Sequence, residues 1–161
     1  MEGWGEFYVG EVGAAAALAG LLFVAISINI EKILAVATLP ARAAQTLLIV
    51  TSALVIGCFA LFPNQPLPAF GWEAIAVYAV LLCSGAVQVA TLRHFRAAEG
   101  PLVWLVVPTS VLVLVTVPGV VGAILLITGN SVGAYWIGVD NILALLGTLL
   151  GGWVMLVEIL R

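Results

Sequence analysis

The sequence predicts an all-α integral membrane protein with a single domain, residues 1–161, folded as a bundle of five transmembrane helices. Composition is the first indication: 64% of the 161 residues are hydrophobic and only 8% are charged, whereas an average soluble domain carries about 25% charged residues. A soluble fold of this length has too little interior to bury that much apolar surface. Several long stretches without any charge are the second indication, because they are typical of helices that cross a bilayer.

Five stretches are long enough to span, since crossing about 30 Å of hydrocarbon takes about 20 residues. Glu31 and Lys32 follow the first stretch, and Pro40 suits the first turn of the second helix. Three prolines between positions 63 and 68 predict a loop before the third stretch. Gly100 with Pro101, and the segment 128–131, predict the later turns. The predicted spans are about 8–30, 41–62, 72–93, 102–128 and 134–159.

The basic residues predict the orientation, because cytoplasmic loops are enriched in Lys and Arg. With five spans rather than four, all five basic residues fall on one side of the membrane, and the opposite side carries acidic residues. We therefore predict an N-terminus outside and a C-terminus in the cytoplasm. The first stretch is predicted to be a retained helix, because no Lys or Arg precedes it as in a signal peptide. The basic residues are Lys32, Arg42, Arg93, Arg96 and Arg161.

Aromatic residues support the same boundaries, because Trp and Tyr favour the interface between membrane and water. We expect several of them at the outer interface, namely Trp4, Phe7, Tyr8, Trp72, Tyr135 and Trp136.

Small residues at three- and four-residue spacing predict the faces on which membrane helices pack, because they let backbones approach closely. One such stripe runs along the first helix, and another runs along the fifth on the same face as Asp140. The predicted packing residues are Gly13, Ala17, Gly20, Gly147 and Gly151. In the fourth helix, Gly119 and Gly122 predict a further close approach.

Asp140 is the most informative polar residue. A carboxylate at the centre of a spanning helix costs about 2.5–3.5 kcal/mol on insertion scales, and Asp140 lies on the packing face about two turns inside the fifth helix. Two interpretations remain open. Asp140 is either a cation or proton site in a polar cleft, or a carboxylate hydrogen-bonded to a neighbouring helix with the help of Asn141. We favour the second, because polar groups often hold membrane helices together.

Other polar residues give weaker patterns. Glu73, Ser84 and Gln88 share one face of the third helix, which predicts either a polar path or, preferably, hydrogen bonds across a dry interface. Glu11, Glu73 and Asp140 all lie towards the outside, where converging carboxylates would suit a hard cation. Acidic residues at a membrane entrance are more often solvated, so no metal site is predicted. The candidate polar or ion site comprises Asp140, Asn141, Glu73, Glu11, Ser84 and Gln88.

The sequence predicts neither an enzyme nor a cofactor. Cys58, Cys83 and the single histidine form no nucleophile–base pair and no zinc spacing. Both cysteines are predicted to pack as small hydrophobic side chains. A nucleic-acid partner is not expected, because the basic residues do not form the cluster that phosphate binding requires.

Four segments resemble a known kind of protein: EFYVGEVG at 6–13, AAAALAG at 14–20, FVAISIN at 23–29 and LPARA at 39–43. They are similar to small bacterial membrane proteins of the actinobacterial type, some of which are labelled modulators of the FtsH protease. The resemblance covers about the first 65 residues. It implies a protein of the bacterial plasma membrane that acts on, or within, another membrane assembly, and no functional residues carry over from it.

The functional prediction is a small accessory or interaction protein that assembles in the lipid bilayer with itself or with other membrane subunits. It depends on the short loops, the lack of any soluble segment and the small-residue stripes. The alternative is an oligomeric cation or proton channel or transporter that uses Asp140. A second alternative is a membrane protein that holds a lipid or quinone between its helices.

Overall fold

The computed structural model describes residues 3–36, 39–95 and 103–160, and it describes side chains at all of these except 91–95, 103–109 and 158–160. The described residues form six helices and no strand. Five of these helices are long and apolar enough to cross a membrane, so the prediction of an all-α membrane protein with five spans is confirmed. The helices are α1 (Trp4–Ile28), α2 (Ile30–Ala35), α3 (Leu39–Ala60), α4 (Leu67–Phe95), α5 (Val103–Ile127) and α6 (Val132–Leu160).

Proline and glycine set several of the helix ends. Pro40 and Pro68 lie in the first turns of α3 and α4, where the missing N–H is not needed. The loop predicted at 63–68 is therefore shorter, because α4 already begins at Leu67. At the predicted turn after α5, Gly129 adopts a φ of +81°, a conformation that glycine reaches without steric cost. The N–H groups of Gly129 and Asn130 each donate over 2.9 Å to a carbonyl in the last turn of α5.

The helices α3, α4, α5 and α6 form a ring in which each packs against the next and α6 returns to α3. The first helix, α1, lies outside this ring in the groove between α3 and α6. It runs parallel to α6, because Trp4 lies near Gly138 and Leu22 lies near Gly152. The start of α1 and the end of α6 therefore lie at opposite ends of the bundle. Which end faces the cytoplasm stays a prediction.

The buried apolar residues form three clusters along the bundle. One lies near the end where α1 begins and includes Phe70 and Ile137. A second, with Leu81 and Ala144, fills the middle of the ring. The third lies at the opposite end, where α2 and the end of α6 meet around Met155. Between the first and the second clusters the core is polar.

Close backbone contacts hold the ring together. A Cβ placed on Gly122 of α5 would lie 2.7 Å from the carbonyl oxygen of Gly133 in α6. In the same way, a Cβ on Gly71 of α4 would lie 2.8 Å from the carbonyl oxygen of Ala123. These distances leave no room for a side chain, so glycine is what lets α5 contact both of its neighbours at this level.

The two predicted small-residue stripes differ in the structure, because the stripe on α6 packs against other helices and the stripe on α1 does not. In α6, a Cβ on Gly147 would lie 3.3 Å from Val111 of α5, and one on Gly151 would lie 3.1 Å from Thr46 of α3. In α1, by contrast, Gly13 and Gly20 have no atom within 4 Å of a Cβ position, and Ala17 is exposed. The stripe on α1 therefore makes no close packing contact with the described part of the chain. A contact of this stripe with another chain stays a prediction.

A buried carboxylate cluster as the candidate functional site

Five polar side chains from three helices meet between the first and second apolar clusters. They are at most 6% exposed, and we call them the carboxylate cluster: Tyr8 and Glu11 of α1, Tyr78 of α4, and Asp140 and Asn141 of α6. Each tyrosine is close enough to interact electrostatically with both carboxyl groups. The structure thus brings together the acidic residues of the helix outside the ring and of a helix inside it.

Helical periodicity places these residues on facing sides of α1 and α6. The buried residues of α1 are Tyr8, Glu11, Ala15 and Leu22, which lie on one face because they are spaced by three, four and seven residues. At about 1.5 Å per residue, Glu11 lies about 10 Å from the start of α1, and Asp140 about 12 Å from the start of α6. Both groups therefore lie about two turns inside helices that are long and apolar enough to cross a membrane.

Asp140 has hydrogen-bond donors from two other helices. The hydroxyl of Tyr78 donates to Oδ2 over 2.8 Å, and the backbone N–H of Gly119 donates to Oδ1 over 3.2 Å. A Cβ at position 119 would overlap Tyr78 Oη and would lie 2.7 Å from Asp140 Cγ. The glycine therefore provides the space in which Tyr78 and Asp140 meet, and Asp140 joins α4, α5 and α6.

Glu11 has a different environment, because neither of its carboxyl oxygens has a hydrogen-bond partner among the described residues. Its side chain extends against α3 at Gly57, where a Cβ would overlap Glu11 Oε2 and lie 2.6 Å from Val12 Cγ2. From α6, the Asn141 side chain is close enough to interact with Glu11. No pair of atoms between the two side chains meets both the distance and the angle of a hydrogen bond, and both polar atoms of Asn141 are also without a partner.

The position of Tyr8 at the outer membrane interface stays a prediction, but the residue is not on the surface of the bundle. Its side chain is fully buried, and its hydroxyl donates to the carbonyl oxygen of Ala134 over 3.3 Å. The ring packs edge-on against Phe70. By contrast, Trp72 and Tyr135 are exposed on the surface of the bundle, as expected of interface residues.

Three of the six predicted site residues lie elsewhere. Glu73 is partly buried and accepts a hydrogen bond from Gln65 in the loop before α4. Ser84 bonds to the Leu81 carbonyl and lies 3.3 Å from Gln45 Oε1 across the interface between α3 and α4. Gln88 is partly buried, and its amide nitrogen has no partner. The carboxylate cluster thus contains Glu11, Asp140 and Asn141 but not the predicted third acid.

The chemistry of the cluster follows from its charges. Where the structure describes side chains, the basic residues are Lys32 and Arg42, and Arg42 lies about 22 Å along α3 from Gly57. Over the same residues, no group of three or more His, Cys, Asp or Glu side chains is placed to hold a metal ion. A buried carboxyl group that has neither a counter-charge nor hydrogen-bond donors favours its protonated form or a bound cation. The cluster is therefore suited to binding a small cation.

A separate groove lies on the surface between α3 and α4. Its volume is about 200 Å³, and its lining is mostly apolar. The lining residues include Val55, Val77 and Val80, with Thr51 and Ser52 as the polar members, and none belongs to the carboxylate cluster. Cys58 and Cys83 are exposed on the bundle surface instead of packed in the core, so their predicted packing is wrong.

Comparisons with known proteins give no match: no family model, curated protein or solved structure is detectably similar to the chain. The resemblance of residues 6–43 to small actinobacterial membrane proteins therefore stays a prediction. The function has to be argued from the geometry of the carboxylate cluster.

Proposed function

We propose that the protein binds protons or other small cations inside the bilayer at the carboxylate cluster and passes them across the membrane as a small channel or transporter. A single bundle of five helices is small for a pore, so the proposal includes an oligomer. The observation that carries it is the burial of Glu11 and Asp140 in one cluster without a basic partner among the described side chains. Ionisable residues inside membrane bundles mark ion pathways and proton relays.

Glu11 is the reason to prefer this function over a purely structural role. Hydrogen bonds between helices account for Asp140, which has a donor on each carboxyl oxygen. They do not account for Glu11, whose two oxygens have no partner although the residue is only 6% exposed. A buried polar group without a hydrogen bond costs about 1–3 kcal/mol, and more if it is charged. A proton or another cation bound at Glu11 would pair with its free oxygens, so a cation-binding role accounts for the burial of this acid.

The test is cation flux into liposomes that contain the purified protein. An imposed membrane potential drives uptake, and dyes inside the vesicles report protons and Na⁺ separately. We expect flux above that of empty vesicles, reduced to background by Glu11→Gln and by Asp140→Asn. Glu73→Gln is the matched control, because it removes an acidic residue outside the cluster and should leave the flux unchanged. Equal flux in wild-type and empty vesicles would refute the proposal.

A second candidate, an accessory subunit of another assembly in a bacterial plasma membrane, is favoured by the outer face of α1. At about 100° per residue, the stripe of Gly13, Ala17 and Gly20 points directly away from the buried face of α1. Small residues on a lipid-facing helix surface favour contact with another helix. Substitutions at Gly147 or Gly151 are unsuitable for testing this, because both residues pack inside the bundle.

The sharper test of the second candidate is native mass spectrometry of the protein extracted in mild detergent. Gly13→Leu and Gly20→Leu should remove a homo-oligomer or a stoichiometric partner. Ala14→Leu is the control, since Ala14 is an exposed small residue on α1 away from the stripe. Recovery of the wild-type complex from both glycine variants would count against an interface on this face.

A further inference from the structure

We propose that the cation bound by the cluster is a proton, that it is carried by the Glu11 carboxyl, and that Asp140 stays ionised because its own hydrogen bonds support the charge. This inference rests on the proposed function and narrows it to one ligand and one exchanging group. It starts from the contrast between two acidic side chains that are both buried but have opposite hydrogen-bond environments.

Hydrogen bonding assigns the two roles. A donor aimed at a carboxylate oxygen stabilises the charged form. Asp140 receives the Tyr78 hydroxyl and the Gly119 N–H, one on each oxygen, so its negative charge is supported where it lies. Neither Glu11 oxygen accepts a hydrogen bond of normal geometry from the described residues, and the donor that approaches Glu11 is the neutral amide of Asn141. In an apolar interior, the group without such hydrogen bonds is the one for which the neutral, protonated form is favoured.

The side chain opposite Glu11 is complementary to a protonated carboxyl. Asn141 presents one donor, its NH₂ group, and one acceptor, its carbonyl oxygen, and both are unpartnered in a fully buried position. A protonated carboxyl also has one donor and one acceptor, so the two groups can satisfy each other with a small side-chain rotation. A carboxylate has only acceptors, and it would leave the Asn141 carbonyl without a partner.

Ligand number distinguishes a proton from a metal ion. Hard metal ions in proteins take about six or more oxygen ligands. The described side chains of the cluster offer three free oxygens, two on Glu11 and one on Asn141. Both Asp140 oxygens and the hydroxyl groups of Tyr8 and Tyr78 are engaged in other hydrogen bonds. Three oxygens suffice for a proton but fall short of a metal coordination shell.

The groups that face Glu11 from each packed element add no positive charge. They are Tyr8 on α1 itself, Asp140 and Asn141 on α6, Tyr78 on α4, and the bare backbone at Gly57 on α3. Protonation of Glu11 therefore removes an uncompensated negative charge, and loss of the proton restores that charge. A lower pH should therefore protonate Glu11, and a higher pH should remove the proton.

Carbodiimide labelling tests the proposal on the full chain in lipid vesicles. Dicyclohexylcarbodiimide partitions into the bilayer, and the O–H of a protonated carboxyl adds across one of its C=N bonds. The resulting O-acylurea rearranges to a stable N-acylurea, so the protein gains the whole mass of the reagent and nothing leaves. Peptide mass spectrometry then locates the adduct. The labelling rate is measured over a pH series, with NaCl or with choline chloride.

We expect an adduct on Glu11 and none on Asp140. The rate should level off at low pH, fall by about tenfold per pH unit once Glu11 is mostly ionised, and be the same in both salts. Glu11→Gln should abolish this adduct and Glu73→Gln should retain it. Gly57→Ala should slow the labelling, because its Cβ takes the space beside Glu11 Oε2.

The outcomes separate this inference from the proposed function. An adduct on Asp140 instead of Glu11 would overturn the assignment of roles. If Na⁺ protects Glu11 from labelling, the bound cation is not specifically a proton, and this inference is refuted. The proposed function as a cation transporter would remain supported. Labelling of Glu11 with the expected pH profile, in a protein that shows no flux in liposomes, would support the proton site and refute translocation.

Discussion

Replacing Gly119 with alanine is expected to destabilise the fold by about 3 kcal/mol. The added Cβ would overlap Tyr78 Oη and lie 2.7 Å from Asp140 Cγ, so the two side chains must separate. Overpacking a core costs about 1–3 kcal/mol, and losing a hydrogen bond to a charged group costs about 1.5–3 kcal/mol. Alanine gains about 1 kcal/mol over glycine in helix propensity, which offsets part of this cost.

The assay is reversible unfolding in mixed micelles, with the sodium dodecyl sulfate fraction increased stepwise and helix content followed by far-ultraviolet circular dichroism. Gly20→Ala is the matched control, because it is the same substitution in a spanning helix with no atom within 4 Å. That control should shift the free energy of unfolding by less than about 1 kcal/mol, in the stabilising direction. If both variants unfold at the same detergent fraction, the contact between Gly119, Tyr78 and Asp140 does not contribute to stability as argued.

Two further stability predictions use the same unfolding assay. Tyr78→Phe removes the hydroxyl that donates to Asp140 and should cost about 1–3 kcal/mol, because a buried acceptor loses its partner; an unchanged midpoint would contradict it. Gly133→Ala should cost about 1–3 kcal/mol, since its Cβ would overlap the backbone carbonyl of Gly122. Gly147→Ala in the same helix meets only side-chain methyl groups at 3.3 Å or more and should be tolerated better. The reverse order would show that the backbones separate easily at this crossing.

The five spans could be predicted because hydrocarbon thickness sets helix length, and loops rich in proline or glycine separate the spans. The position of α1 in the bundle could not be predicted in this way. Its stripe of Gly13, Ala17 and Gly20 favours a packed face, but the structure packs the opposite face, which carries Tyr8 and Glu11. Facing a carboxyl group towards lipid costs more than facing glycine towards lipid. Burial of the polar residues therefore decides how α1 is rotated.

The sequence indicated Asp140 more clearly than the rest of the site. Asp140 interrupts a stretch that is otherwise free of charge, and it lies on a face of small residues. In the structure this residue is buried on the packed side of α6. Glu11 starts a charge-free stretch, so it was interpreted as a solvated acid at the membrane entrance. The helix in fact begins at Trp4, which places Glu11 about 10 Å inside it.

The tyrosines and glycines of the site were harder to recognise. Tyr8 lies near a helix end and suits an interface position equally well. Tyr78 offered one clue, because its hydroxyl lies in the middle of a spanning stretch and not at its edge. Gly119 was predicted only as a point of close approach. The space that Gly57 gives to Glu11 arises from a contact between two helices distant in sequence, which no local pattern records.

The location of α1 outside the ring has a consequence for how the protein is made. During synthesis, α1 is made before α6, which carries Asn141 and Asp140. The apolar residues of α1 outweigh the insertion cost of one carboxyl group, so α1 can enter with Glu11 still facing lipid. Glu11 is then covered by α3 at Gly57, and α6 completes the enclosure with Asn141. A chain that ends before α6 keeps Glu11 covered by α3 alone, so an incompletely covered acid distinguishes an incomplete chain from a finished one.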